Sequence, residues 1–205
     1  MIVMKTKFLL ALLAIVLLFT DQLLAQQEPL TPAEKAGILF MYEEEKMARD
    51  VYDSLFAKWD SNPFGNIRKS ESMHMREMKM LAASHALADR VFEPDRRAGV
   101  FNNTSLQQLY NELVAKGSVS FTEALKAGAL VEETDIRDLV AEKAKTVKKD
   151  IRESYNFLLM ASENHLRAFY RNLTNRGILY EPVVLSKESF DAIINAENGT
   201  GGCNH

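Results

Sequence analysis

The chain has 205 residues, 47% of them apolar, with 25 basic against 28 acidic side chains and a formal charge of −3. That acid surplus offers nothing to neutralise a phosphate backbone, which excludes nucleic acid as a partner. A single cysteine, Cys203, excludes a disulfide-built scaffold, and the apolar content suffices for one well-buried core without staples.

The first residues carry Lys5 and Lys7 ahead of an unbroken apolar run from Phe8 to Phe19, and Ala25 supplies a small residue for peptidase cleavage. This pattern predicts a secretory signal over residues 1–25 and a mature chain exported to the periplasm or the extracellular space. The run is short for a bilayer span, so no stable membrane anchor is expected after cleavage. Loss of two lysines and Asp21 leaves the mature chain one unit more negative.

From there the apolar residues recur every three or four positions and no sustained alternation appears, so the fold class is all-α. The first helix is expected from Pro32 to about Trp59, opened by Thr31 and Glu34 in capping-box spacing. Its stripe runs Ile38, Met41, Tyr42, Glu45, Ala48, Tyr52, Leu55, with one carboxylate among apolar positions. A turn around Pro63 and Gly65 leads to a second helix from about Asn66 to Asp89, with Ile67, Glu71, His74, Met78, Leu81 and His85 on one face. Residues 92–103 read as a connecting loop and 105–115 as a short helix, a long connection that suits a crossover.

A third long helix is expected from about Ser120 to Thr146, its stripe holding Leu125, Gly128, Glu132, Asp135, Ile136 and Leu139, with Gly128 allowing close approach of a neighbour. A fourth runs from about Lys149 to Asn175 with Ile151, Tyr155, Leu158, Ser162, His165, Phe169 and Leu173. Ser186 should cap a last short helix through Asn195, with Glu188 in its first turn. The organisation is therefore a signal over 1–25, a helical bundle over 26–185, and a short helix with a flexible Gly-rich tail over 186–205.

A buried carboxylate without a partner costs several kcal/mol, so four helices that each turn acids or histidines inward need a common cause, and a shared cation supplies one. Glu71 and His74, at i and i+3, project side by side, and oxygen with imidazole suits iron, manganese or zinc. Glu45, Glu132 and His165 complete the set. Within the run of residues 43–45 only Glu45 lies on the stripe, while Glu43 and Glu44 read as a solvated face with Lys46 and Arg49 as partners. Glu132 is preferred to Glu133 on the same ground. His85 reads as a core histidine satisfied by a carboxylate, or as exposed. Met73, Met75, Met78 and Met80 read as core filling, and Cys203 and His205 are left out of the site. Tyr52, two turns from Glu45, is a core residue, a hydrogen-bond donor or a redox-active neighbour.

The segments Glu45-Lys-Met-Ala-Arg49, Glu71-Ser-Met-His74 and His165-Leu-Arg-Ala-Phe169 resemble the ligand segments of rubrerythrin-like and other ferritin-like proteins. Residues 42–52, 128–139 and 164–169 more closely resemble the bacterial ferritin-like family known as domain of unknown function 2202, over roughly residues 32 to 175. The resemblance implies a ferritin-like four-helix bundle with a crossover and additional short helices. It also implies a di-iron or related site, with oxygen, peroxide or ferrous iron as reactants in the wider superfamily. Such sites carry a second Glu-x-x-His on the fourth helix, and here Ser162 stands where that acid would be, with Glu163 one step out of register. Asp135 is the substitute expected from the third helix.

Two functions follow. One is an iron-dependent oxidoreductase or iron-handling protein holding two ions, with Glu71 or Glu132 bridging them; the other is a non-catalytic binding or scaffold module of the cell envelope that has lost a complete site, its acids paired to Arg49, Lys79 or Arg167. A homodimer is compatible with either.

Overall fold

The computed structural model describes residues 28–87 and 97–196. The expected signal, residues 88–96 and the tail with Cys203 and His205 lie outside the described residues. Contacts divide the chain into two units, Met1–Leu30 and Thr31–His205, and the helices of the described residues belong to the second. The described residues form six helices and no strand: α1 Pro32–Trp59, α2 Phe64–Ser84, α3 Thr104–Gly117, α4 Phe121–Ala144, α5 Lys149–Thr174 and α6 Lys187–Asn195. None of them is long and apolar enough to cross a membrane.

The start of α1 is the capping box that the spacing predicts. Thr31 Oγ1 accepts from the Glu34 amide at 3.2 Å, and Glu34 Oε2 accepts from the Thr31 amide at 2.8 Å. The same carboxylate takes a third hydrogen bond from Thr146 Oγ1 at 2.6 Å, which ties the start of α1 to the turn between α4 and α5. Ser120 and Ser186 cap α4 and α6 through the amides of Glu123 and Ser189, so three helix starts are set by side-chain oxygens meeting orphan amides.

The second helix differs from expectation at both ends. It begins at Phe64 rather than Asn66, because Pro63 at the N-cap leads straight into the first turn. It stops at Ser84, short of Asp89: Ala86 adopts a left-handed φ of 55°, and the Leu87 amide folds back to the Ala82 carbonyl at 2.8 Å.

Helices α1 and α2 pack along each other, as do α4 and α5. The two pairs meet through α1 with α4 and α2 with α5, while α3 lies against α1 and α4, and α6 against α5. Gly128 permits one close approach as expected, since a methyl group there would overlap the Phe169 ring. The largest apolar cluster includes Tyr52, Leu55, Phe64, Ile67, Leu125, Phe169 and Leu173. Ile38, Met41, Met78, Leu139, Ile151 and Leu158 are equally buried. Along each long helix the two sets fall on opposite sides of Glu45, Glu71, Glu132 and His165, so a polar layer crosses the middle of the core.

Candidate metal centre

Five of the six expected ligands come together in that layer. Glu45, Glu71, His74 and Glu132 are each no more than 2% exposed, whereas the His165 side chain keeps 13% of its surface open. Two triads form, Glu45 with Glu71 and His74, and Glu71 with Glu132 and His165, with ligand atoms within 4.8 Å of one another in each. Glu71 belongs to both. Its Oε2 lies 2.6 Å from His74 Nδ1, and its Oε1 lies 3.0 Å from His165 Nδ1. Glu45 Oε2 stands 3.2 Å from His74 Nδ1, and Glu132 Oε2 stands 3.5 Å from His165 Nδ1. The two imidazoles face each other with centroids 5.7 Å apart.

The arrangement is not a closed ion-pair network. His165 Nδ1 and Glu71 Oε1 approach to 3.0 Å, yet neither has an aligned hydrogen bond, and Glu45 Oε1 and Asp135 Oδ1 also lack a partner. His74 Nδ1 is hydrogen-bonded to Glu45 Oε2, but these buried oxygens and the nitrogen of His165 converge without aligned partners, which is rare for buried native groups and leaves donor atoms that an ion would use. The surroundings fix these side chains in place. The second nitrogen of His74 faces Ser70 Oγ at 3.2 Å, which suits an imidazole presenting Nδ1 as its ligand atom. Tyr52 donates its hydroxyl to Glu132 Oε1 in a short bond and also reaches the Gly128 carbonyl at 3.2 Å.

Electrostatics separates the members. Burial would raise Glu71, but the imidazoles of His74 and then His165 hold it well below the ordinary carboxylate range. Burial opposes the charge on His165, yet Glu132 and Glu71 outweigh it and push the imidazole up to about 10; Glu71 and Glu45 do the same for His74. Glu45 is raised by burial and by Asp135, and Glu132 by burial. Burial and the charge of Glu132 also keep the Tyr52 hydroxyl protonated, hence a donor.

Asp135 departs from its expected role. It belongs to neither triad; its Oδ2 accepts from Ser162 Oγ, the side chain whose place it was to fill, and burial pushes it up to about 8. Glu163 lies off the site and is half-buried, with Arg167 the first charge to offset its desolvation. His85 meets Asp150 at 2.7 Å, the satisfied histidine that the sequence allows.

Two acids differ from their sequence reading. Glu133 is fully buried and satisfied, accepting from the Tyr180 hydroxyl at 2.6 Å and from the amides of Val183, Val184 and Leu185 at 2.9, 2.8 and 2.9 Å. It faces the C-terminal segment, which leaves Glu132 to the centre as preferred. Glu44, expected on a solvated face, is 1% exposed. Lys46 is no partner for the acidic run: its ammonium is buried on Asp50 at 2.7 Å and on the carbonyl of Arg97 at 3.0 Å. Arg49 likewise grips Asp50. No single-residue signal distinguishes Glu44 from Glu43, since the three glutamates are contiguous.

An all-helical protein with a buried layer of carboxylates and imidazoles is the class that fold and site define. The chain belongs to the family described as Uncharacterized protein domain (DUF2202), whose model matches residues 34–197. It is 42% identical over 175 residues to the uncharacterized protein MJ0754 of Methanocaldococcus jannaschii, covering 85% of this chain and 94% of that one. The crystal structure of hypothetical protein MJ0754 from Methanococcus jannaschii DSM 2661 is similar at a TM-score of 0.78 and 40% identity, over 84% of this chain and 98% of that chain. The family expected to be bacterial therefore has an archaeal relative.

Proposed function

We propose that the chain is an exported ferritin-like protein whose four long helices, α1, α2, α4 and α5, form a bundle with α3 in the crossover, and that the polar layer is a dinuclear carboxylate metal centre. Iron fits best, with manganese or zinc as substitutes, because three carboxylates and two imidazoles form a mixed donor set of intermediate softness. The observation that carries this reading is Glu71, whose two oxygens each approach a different imidazole. That is the geometry of a bridging carboxylate. Glu45 and His74 would hold one ion, and Glu132 and His165 the other.

When bound, two ferrous ions would supply the electrons for reducing oxygen or peroxide, and the role that goes with this reading is iron handling or oxygen and peroxide chemistry. The protein's own part is to exclude water from the layer, to fix the orientation of Glu132 through Tyr52, and to present Nδ1 of both histidines inward. Ser162 and Asp135 bond each other where a second bridging acid would stand, leaving that side of the centre less crowded for a small reactant.

The test is anaerobic loading with ferrous iron, followed by metal analysis and optical absorption on admitting oxygen, for the mature protein and for Glu71→Ala and His165→Ala. About two irons per chain with an oxygen-dependent near-ultraviolet band, lost in both variants, is the expected result. No stoichiometric metal, with the variants behaving like the parent, would leave the scaffold reading in its place.

A further inference from the structure

Glu44 takes no part in either triad. It is 1% exposed, and neither carboxylate oxygen has a hydrogen-bond partner. The groups that act on it most are acids, Asp135, Asp138 and Glu45 in that order, with the Asp138 carboxyl lying against it; the guanidinium of Arg137, which holds Asp138, is the cation that feels its charge. Buried acids away from this layer are satisfied differently, Glu133 with four donors and Asp50 with Lys46, Arg49 and the Gly99 amide. An unpartnered carboxylate beside three others is a poor structural element and a good cation ligand.

The acids around Glu44 form a series that leads inward. Asp138 reaches the surface, its side chain 18% exposed and gripped by the solvent-facing Arg137 at 2.8 and 2.7 Å. Glu44, its neighbour, is buried. Asp135 follows, with Oδ2 held by Ser162 and Oδ1 free, and it is coupled both to Glu44 and to Glu45, Glu132 and Glu71 of the centre. We propose that Asp138, Glu44 and Asp135 form the path by which divalent metal cations enter the buried centre, with Glu44 as the intermediate oxygen ligand. The path rests on the metal-centre reading above. A cation leaving water needs replacement oxygens at each step, and carboxyls that burial holds protonated give up their protons to an arriving cation.

The main rival entrance is the groove between α2 and α5, lined by Glu77, Asp150 and Glu153 together with Met80 and Phe157. Its acids are more exposed, and Glu77 already accepts from Ser154 at 2.6 Å. The edge of Phe157 stands against His74 and screens the centre from that side.

Cobalt(II) is the probe. The metal-free parent, Glu44→Gln, Asp138→Asn and Glu77→Gln are mixed with it in a stopped-flow instrument, free metal is followed with an indicator dye, and bound metal is counted at equilibrium. The path predicts equal final stoichiometry in all four. Loading should be about ten-fold slower in Glu44→Gln, more weakly slowed in Asp138→Asn, and unchanged in Glu77→Gln. Loading of Glu44→Gln at the parental rate overturns the path, as does slowing in Glu77→Gln alone. A lost ion at equilibrium in Glu44→Gln also overturns it, since Glu44 would then be a ligand of the centre. Failure of the parent itself to bind cobalt is a different result, which removes the metal-centre reading and the path with it. Glutamine resembles the protonated carboxyl that burial and the neighbouring acids favour, so Glu44→Gln should not lower the thermal midpoint; Asp138→Asn, near the surface, carries the test if that variant misfolds.

Discussion

Glu132 and Glu133 are neighbours on α4, both buried, and the protein treats them in opposite ways. Glu133 sits in a socket of three backbone amides and the Tyr180 hydroxyl, and it pins the segment before α6 onto α4. Glu132 turns into the central layer, where two histidines are shared among three carboxylates and several ligand atoms have no aligned hydrogen bond. The fold can evidently satisfy a buried acid when that acid serves architecture. The shortfall in the central layer therefore marks a site kept for something that binds, at a cost in stability of the metal-free chain.

The largest effect that sharpens this contrast is the loss of the shared ligand. Glu71→Ala should abolish binding of both ions, whereas Glu45→Ala and Glu132→Ala should each leave one; metal counted by elemental analysis after gel filtration separates the cases. If Glu71→Ala retained one tightly held ion, the two triads would be independent sites and Glu71 no bridge. Next in size is the socket. Glu133→Ala leaves three amides and a hydroxyl without their acceptor, at about 1–3 kcal/mol for each buried group left unsatisfied. A loss of at least about 3 kcal/mol is expected in denaturant titration, with metal stoichiometry largely kept. Glu45→Gln, which removes a carboxylate crowded by Asp135, should leave the metal-free protein as stable as the parent or more so.

Acidity gives the third test. His74 and His165 hold their protons in the metal-free fold far more tightly than an unfolded chain would, His165 up to about 10. Their contribution to stability is complete below about pH 6.5 and is lost as pH rises toward 10. Asp135, pushed up to about 8, and Glu45 act in the same direction, because the native state keeps protons that the unfolded chain releases in mild acid. Glu71, held low, contributes stability that is already complete above the ordinary carboxylate range and is lost only in strong acid. The thermal midpoint of the metal-free protein should therefore fall between pH 6.5 and 9.5. Loading should flatten that fall, since ions replace the two imidazole protons, and affinity should rise with pH for the same reason.

Much of this was legible before any coordinates. Thr31, Pro32 and Glu34 announce the start of α1, and the five ligands stand out because each is polar on an otherwise apolar stripe. The end of α2 was not legible, because the break falls at Ala86, a residue that carries no turn signal, and the periodic pattern runs on past it. Glu133 was separable from Glu132 by helix phase alone, but its socket is built by residues 47 to 52 positions away, beyond any local pattern. The burial of Glu44 is not legible in the sequence, because three consecutive glutamates look like a solvated face. Only the packing of α4 against α1 encloses it. Asp135 was rightly placed on the inner face, but its pairing with Ser162, which keeps it out of both triads, depends on the angle between two helices.

Tyr52 gives a small predicted effect on stability, and the prediction that best tests whether the two regions are independent. Its ring stacks with Phe169 and Phe64, at centroid distances of 5.6 and 6.4 Å, and so belongs to the apolar cluster below the polar layer. Its hydroxyl belongs to the layer, through Glu132. Tyr52→Phe keeps the ring and removes the hydroxyl, so stability of the metal-free chain should change by about 1 kcal/mol or less. Glu132 then loses the donor that orients it, and partners of this kind are worth about 10- to 100-fold in metal affinity. Calorimetric titration should show one of two binding steps weakened, the one assigned to Glu132 and His165, with the Glu45 and His74 step unchanged. Equal weakening of both steps would mean that Tyr52 acts through the packing of the whole layer, and an unchanged titration would mean that its bond to Glu132 does not survive metal binding.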